Sequence, residues 1–232
     1  MTRLYADTST GEISEYTISE LSENILHINM DKQSELALTF IRFQEYYESP
    51  EYKGKIFSLE EFVKWYTINH SEDKENFDYH TSWNGFNIPS SILLPFINGE
   101  FELTTREKSF LKILEGYSGD FYIIGTHSEK EPEYYEGLLK HETAHGLYYL
   151  DEQYKKSVNE ILNDIELDEL SKVFDKMGYH RAVHMDETHA YLLADYKYLK
   201  EDEGIDIEKY KNVTEKLNTL FINTIKKTNP QS

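Results

Sequence analysis

The sequence predicts an α+β chain, predominantly helical, with a small sheet packed on the helix that carries His141 and His145. Three observations carry that expectation. Long stretches repeat apolar residues at helical spacing, one segment reads as a strand between glycines, and only five prolines interrupt either pattern.

At 232 residues the chain is long enough to bury a core without staples. Hydrophobic residues make up 39%, and 19 Tyr with 12 Phe supply much of the buried area. One continuous domain is expected. By content it has an N-terminal, mainly helical part with an aromatic loop, 1–118, and a second part, 119–232. The net charge of -19 argues against a nucleic-acid surface, because phosphate contacts need clustered Lys and Arg. There is no cysteine, so disulfides, thiolate metal sites and cysteine nucleophiles are excluded. The N-terminal twenty residues lack the apolar run of a signal peptide, and no segment is apolar for long enough to span a bilayer. A cytoplasmic protein without membrane contact is expected, with signal-free secretion the other route.

Taken in order, three segments carry capping-box spacing, Ser or Thr followed three residues on by Glu. Thr17 and Glu20 precede "LSENILHI", Ser58 and Glu61 precede "FVKWYTI", and Thr104 and Glu107 precede "KSFLKIL". Each predicts a helix start. Between the first two, "ELALTFIRFQEYY" has helical apolar spacing. "FDYHTSWNGFNIPSS" combines aromatics, Asn-Gly and Pro, and predicts an ordered loop. His80, Thr81 and Trp83 lie in it. "GDFYIIGTH", 119–127, predicts the strand. Beyond it, helices are expected near 132–150, 152–164, 167–177 (stopped by Gly178), 184–199 and 206–226. His27, His70 and His127 have no partners in sequence and are read as structural or solvent-facing.

The segment "LLKHETAHGLYYLDEQYK" carries the chemistry. Residues four apart sit one above the other on a helix, so His141 and His145 can turn imidazole nitrogens to one ion. Zinc or another divalent first-row metal suits that pair. Glu142 stands beside their face, where a carboxylate can take a proton from a water activated by the metal. The surrounding positions are uncharged except Lys140, and Ala144 and Gly146 are small enough for another element to pack close.

"LLKHETAHGL" resembles the active-site helix of the zincin metallopeptidases, in which two His bind zinc and the Glu is general base. The resemblance implies a hydrolase with one Zn2+ per chain and a peptide or protein substrate. It implies a zincin-like catalytic part over 119–232, with the strand 119–127 placed to pair with extended substrate. A metzincin-type third ligand would fall at Asp151, behind Tyr148 where that pattern has Gly. A gluzincin-type ligand, a Glu on a later helix, matches Glu187 in "GYHRAVHMDETHAYLLADY". His184 and Asp186 are the substitutes. The residue four beyond Glu187 is Tyr191 where many gluzincins carry Asp, which leaves Asp186 or Asp195 to orient the histidines. Candidates to stabilise a developing oxyanion are Tyr179, His180, His184 and Tyr191. The catalytic set expected is therefore Glu142, Tyr191 and His184 around His141, His145 and Glu187.

Two other readings stand beside this one. Glu142-x-x-His145 and Asp186-x-x-His189 share the carboxylate-x-x-His spacing of di-iron helical bundles. A metal-binding interaction protein without catalysis would need the ligands but not Glu142.

Overall fold

The computed structural model describes residues 13, 15–130, 132–163, 165–177 and 179–228. The fold is α+β, 61% helical, with a small four-stranded mixed sheet. It divides into two compact units, one of residues up to Ser19 with Leu26–Glu131, the other of Glu20–Ile25 with Pro132–Ser232. The division at 131 rather than 118 leaves the strand segment in the first unit.

Residues 16–30 form a hairpin, not the helix that Thr17 and Glu20 announce. Strands β1 (Tyr16–Ser22) and β2 (Ile25–Met30) meet at Glu23–Asn24. Asn24 sits at φ 62°, a left-handed conformation that Asn tolerates. The Glu20 carboxylate accepts from the Asn24 N–H at 2.8 Å, so it closes a turn and caps no helix. Leu26, Ile28 and Met30 then alternate into the core while His27 and Asn29 face the other way.

Strand β3 (Gly85–Pro89) and strand β4 (Tyr122–His127) complete the sheet in the order β1-β2-β4-β3. β3 runs antiparallel to β4, with Gly85 opposite Thr126 and Pro89 opposite Tyr122. β2 and β4 run parallel, since their cross-strand partners rise together: His27 bonds Thr126, and Asn29 bonds Ser128. The expected strand therefore exists, but both its edges are paired. It is an interior strand, buried at all six positions, and has no free edge for an extended substrate. Among the described residues, the outer strands of the sheet are β1 and β3. The aromatic segment is likewise more ordered than a loop, since it forms helix α3 (Tyr79–Ser82) and then β3.

The segment expected to be helical from its apolar spacing is α1 (Gln33–Glu48), and it is this helix that lies on the sheet, where the sequence expectation places the sheet on the helix of His141 and His145. Gly125 of β4 lets it come close: a Cβ there would stand 2.8 Å from Leu36 and from the Phe40 ring. Phe40, Phe43, Phe96 and Phe110 pack edge-on and tilted against one another in the core. Helices α2 (Leu59–Asn69) and α5 (Thr105–Ile113) both start with complete capping boxes, Ser58 with Glu61 and Thr104 with Glu107. The one-turn helix α4 (Leu94–Ile97) lies between them in sequence. Glu107 also forms a buried ion pair with Arg42 of α1. His127 is satisfied locally by Asn84 and the Glu129 N–H.

The second unit is helical: α6 (Pro132–Leu150), α7 (Glu152–Leu162), α8 (Asp168–Met177), α9 (His184–Ala194), α10 (Tyr196–Glu201) and α11 (Lys211–Thr228). The expected helix 184–199 is broken at Asp195, whose backbone (φ −116°, ψ 28°) leaves the helical region. The last expected helix opens with the 3-10 turn Ile207–Tyr210. Gly178, expected to stop α8, lies outside the described residues. α6 and α9 make the most extensive contact between helices. Ala144 and Gly146 are buried, as close packing requires. Lys140 donates to the Leu193 carbonyl at 2.8 Å and to Asn218 Oδ1 at 2.7 Å, so a cation meets the carbonyl end of α9. Among the described residues, no helix is long and apolar enough to cross a membrane.

Candidate metal centre

Everything in the candidate site comes from α6, α9 and the ends of their neighbours. One turn of α6 stacks His141 below His145, and their Nε2 atoms converge to 3.0 Å. Glu187, near the start of α9, brings Oε2 to 3.8 Å from His145 Nε2. One ligand atom from each of the three residues fits within 4.8 Å of the others, and no other such group occurs among the described residues. The sequence thus named all three members of the cluster.

Each histidine is held from behind by its own carboxylate. Asp195 Oδ2 lies 2.5 Å from Nδ1 of His141, and Asp186 Oδ1 lies 3.0 Å from Nδ1 of His145. Both Nδ1 atoms are thereby occupied, and both Nε2 atoms are turned to the same point. The two aspartates named as candidates for orienting the histidines each take one ring.

The electrostatics fit a missing positive charge. Burial pushes the Glu187 carboxyl up, although His145 and His141 pull it down, and its Oε2 is buried without a hydrogen-bond partner. An unpartnered carboxylate oxygen beside two imidazoles suits a cation ligand. Burial disfavours a proton on His145. The Asp186 charge and hydrogen bond, with the Glu187 and Glu142 charges, outweigh it and raise this pKa to about 10. A divalent cation would replace that proton as the positive centre. The residues present therefore fit a metal of the zinc type: two imidazoles and one carboxylate.

Glu142 is buried on α6, and its charge acts on His145, Glu187 and the Tyr179 hydroxyl. Tyr191, one turn past Glu187, sets its ring edge-on to His141 with centroids 5.0 Å apart. Burial lifts its hydroxyl to about 12, against the lowering effect of a hydrogen bond received from Tyr179, and the Glu187 charge adds to the rise. So Tyr179 and Tyr191, separate candidates in the sequence, form a pair.

The other candidates are occupied elsewhere. His184 is buried, but its Nε2 donates to the Tyr179 carbonyl at 3.3 Å and lies 3.7 Å from Asp175, so it braces the turn before α9. Its expected catalytic role finds no geometric support. His180 is exposed and accepts from the Ala182 N–H. Asp151 is a helix cap, accepting from the N–H groups of Gln153 and Tyr154 at the start of α7. His189 is fully buried, with Nε2 2.8 Å from the Tyr154 hydroxyl and Nδ1 3.6 Å from Asp186 Oδ1. Tyr154 carried no signal in the sequence, because its partner lies on another helix and depends on how α7 folds back. Set against known proteins, the chain matches no family model, no curated protein and no solved structure.

Proposed function

We propose that this protein is a zinc-dependent metallopeptidase of the zincin type, gluzincin-like in its ligand set, that hydrolyses peptide bonds. One observation carries the reading: His141, His145 and Glu187 converge, with a separate aspartate behind each histidine and an unpartnered Glu187 oxygen between them. These three side chains would hold the ion. Zn2+ supplies Lewis acidity toward a water and a scissile carbonyl when bound.

The chain's own groups supply the rest. Glu142 accepts a proton from the attacking water and returns it to the leaving amine. Asp186 and Asp195 would accept the Nδ1 protons of the two imidazoles, which turns the Nε2 atoms to the ion. Tyr191 accepts a hydrogen bond from the Tyr179 O–H, which leaves its own O–H to donate to the carbonyl oxygen as charge builds there.

The di-iron reading needs His189 beside His145 at the metal, but His189 turns Nε2 to the Tyr154 hydroxyl and Nδ1 toward Asp186. A non-catalytic metal-binding protein is separated by substitution. Purified without added metal, the protein is expected to carry close to one zinc per chain. Glu142→Gln should keep that zinc and lose peptide cleavage by roughly a hundredfold or more. Cleavage undiminished in this variant would remove the peptidase mechanism, and close to two irons per chain would favour the bundle.

A further inference from the structure

Behind the metal grip lies a second layer that the proposed chemistry does not use. His189 is fully buried and Tyr154 is 2% exposed, yet both carry polar atoms that must find partners. They find each other, with Tyr154 Oη 2.8 Å from His189 Nε2. The other nitrogen, Nδ1, faces Asp186 Oδ1 at 3.6 Å. That same oxygen lies 3.0 Å from Nδ1 of His145. One carboxylate oxygen thus stands beside two imidazoles, 3.0 Å from one and 3.6 Å from the other, and it and His189 Nδ1 are both buried polar atoms with no partner but these.

The direction of the chain follows from donor chemistry. Nδ1 of His145 must donate to Asp186 if Nε2 is to offer its lone pair to a metal. A neutral His189 that donates from Nδ1 to the same oxygen has only an acceptor left at Nε2, which the Tyr154 O–H fills. The order is Tyr154 to His189 to Asp186, with His145 donating from the other end. Three helices are tied by it: α7 through Tyr154, α9 through His189 and Asp186, and α6 through His145. Local structure fixes the far end too. Asp151 ends α6 and caps α7 by accepting from the Tyr154 N–H at 2.9 Å, and Tyr148 of α6 stacks on the His189 ring.

We propose that His189 and Tyr154 are positioning residues for the metal centre, holding Asp186 in place so that His145 presents Nε2 to the ion. The inference rests on the reading of His141, His145 and Glu187 as metal ligands. A core histidine satisfied by a tyrosine would need no carboxylate. The shared Asp186 oxygen is what connects this pair to the ligand.

The test uses the full chain and reads metal binding, not catalysis. Zinc affinity is measured by competition with a chromophoric chelator, and the ligand field by the visible spectrum of the cobalt(II)-loaded protein. Tyr154→Phe removes one hydroxyl and keeps the ring. It should fold, weaken zinc binding by about tenfold and alter the cobalt bands. His189→Gln should do the same more strongly. Adding Tyr154→Phe to Asp186→Asn should cost no further affinity, since the relay is already cut. If His189→Gln does not fold, Tyr154→Phe decides alone. Wild-type protein that binds zinc, with a Tyr154→Phe variant of equal affinity and unchanged cobalt spectrum, would overturn this inference and leave the metal reading intact. Wild-type protein that binds neither metal would overturn both.

Discussion

Asp195 holds Nδ1 of His141 at 2.5 Å from the residue where α9 breaks. Glu187, Tyr191 and Asp195 follow at four-residue steps, so one face of α9 presents a carboxylate, an aromatic edge and a second carboxylate to α6. Asp195 sits one turn beyond Tyr191, whose ring meets the same histidine edge-on. Asp195→Asn removes the charge behind His141 while keeping size. Zinc affinity should fall by roughly tenfold to a hundredfold with little loss of helix content. An unchanged affinity in a competition titration would show that the contact orients nothing.

The pair His145 and Asp186 makes the zinc-free protein pH-sensitive. His145 is raised from 6.5 to about 10, because the surrounding carboxylates outweigh its burial. Asp186 is lowered from 3.8 to about 2, because His145 and His189 outweigh its burial. The His145 contribution is complete below 6.5 and is lost as pH rises toward 10. The Asp186 contribution is complete above 3.8 and is lost as pH falls toward 2. In chelator-treated protein, this pair should stabilise most between those limits, and Asp186→Asn should flatten both flanks of the Tm profile.

The same proton must leave when a metal arrives. Zinc binding near pH 7 should release about one proton from His145. Calorimetry in buffers of different ionisation enthalpy reads this directly, and a binding heat independent of buffer would contradict it.

Three identical capping signals offer a stability test. Ser58→Ala and Thr104→Ala remove a side chain that accepts a helix N–H, and each should cost about 1 kcal/mol in denaturant unfolding. Thr17→Ala sits on an exposed strand position and should stay within about 0.5 kcal/mol of wild type. A loss at Thr17 equal to the others would place a helix there after all.

Gly125→Ala puts a methyl group 2.8 Å from Leu36 Cδ1 and from two atoms of the Phe40 ring. An alanine suits a strand better than glycine by under about 1 kcal/mol, but a rigid ring cannot yield that much space. Overpacking should win, with a net loss of about 1–3 kcal/mol. A Tm at or above wild type would show that α1 can shift away from the sheet.

What the sequence disclosed followed from range. His141 and His145 are four apart, and the α6 helix that aligns them is local, so the grip was legible from one segment. Glu187 stood out because acidic and histidine residues crowd around it. The assignment of Asp195 to His141 and of Asp186 to His145 needs the crossing of two helices, which no spacing encodes. Tyr154 was invisible for the same reason. In the sheet, β4 announced itself through β-branched and aromatic residues between glycines. β1 and β2 did not, since Thr17 and Glu20 imitate a helix start while Glu20 serves a hairpin turn. β3 hid behind Asn84-Gly85 and Pro89, residues that favour turns and that an edge strand tolerates at its ends.

The parallel pairing of β2 with β4 also sets a schedule for synthesis. His27 and Thr126 are 99 residues apart, so β2 leaves the ribosome long before its inner neighbour exists. Until then the β1–β2 ribbon offers an open row of backbone donors and acceptors on the side that β4 will fill. The nascent chain must carry that unpaired ribbon through the emergence of α1, α2 and β3. That interval is when one copy is most exposed to strand exchange with another, and a chaperone that shields extended segments would act there.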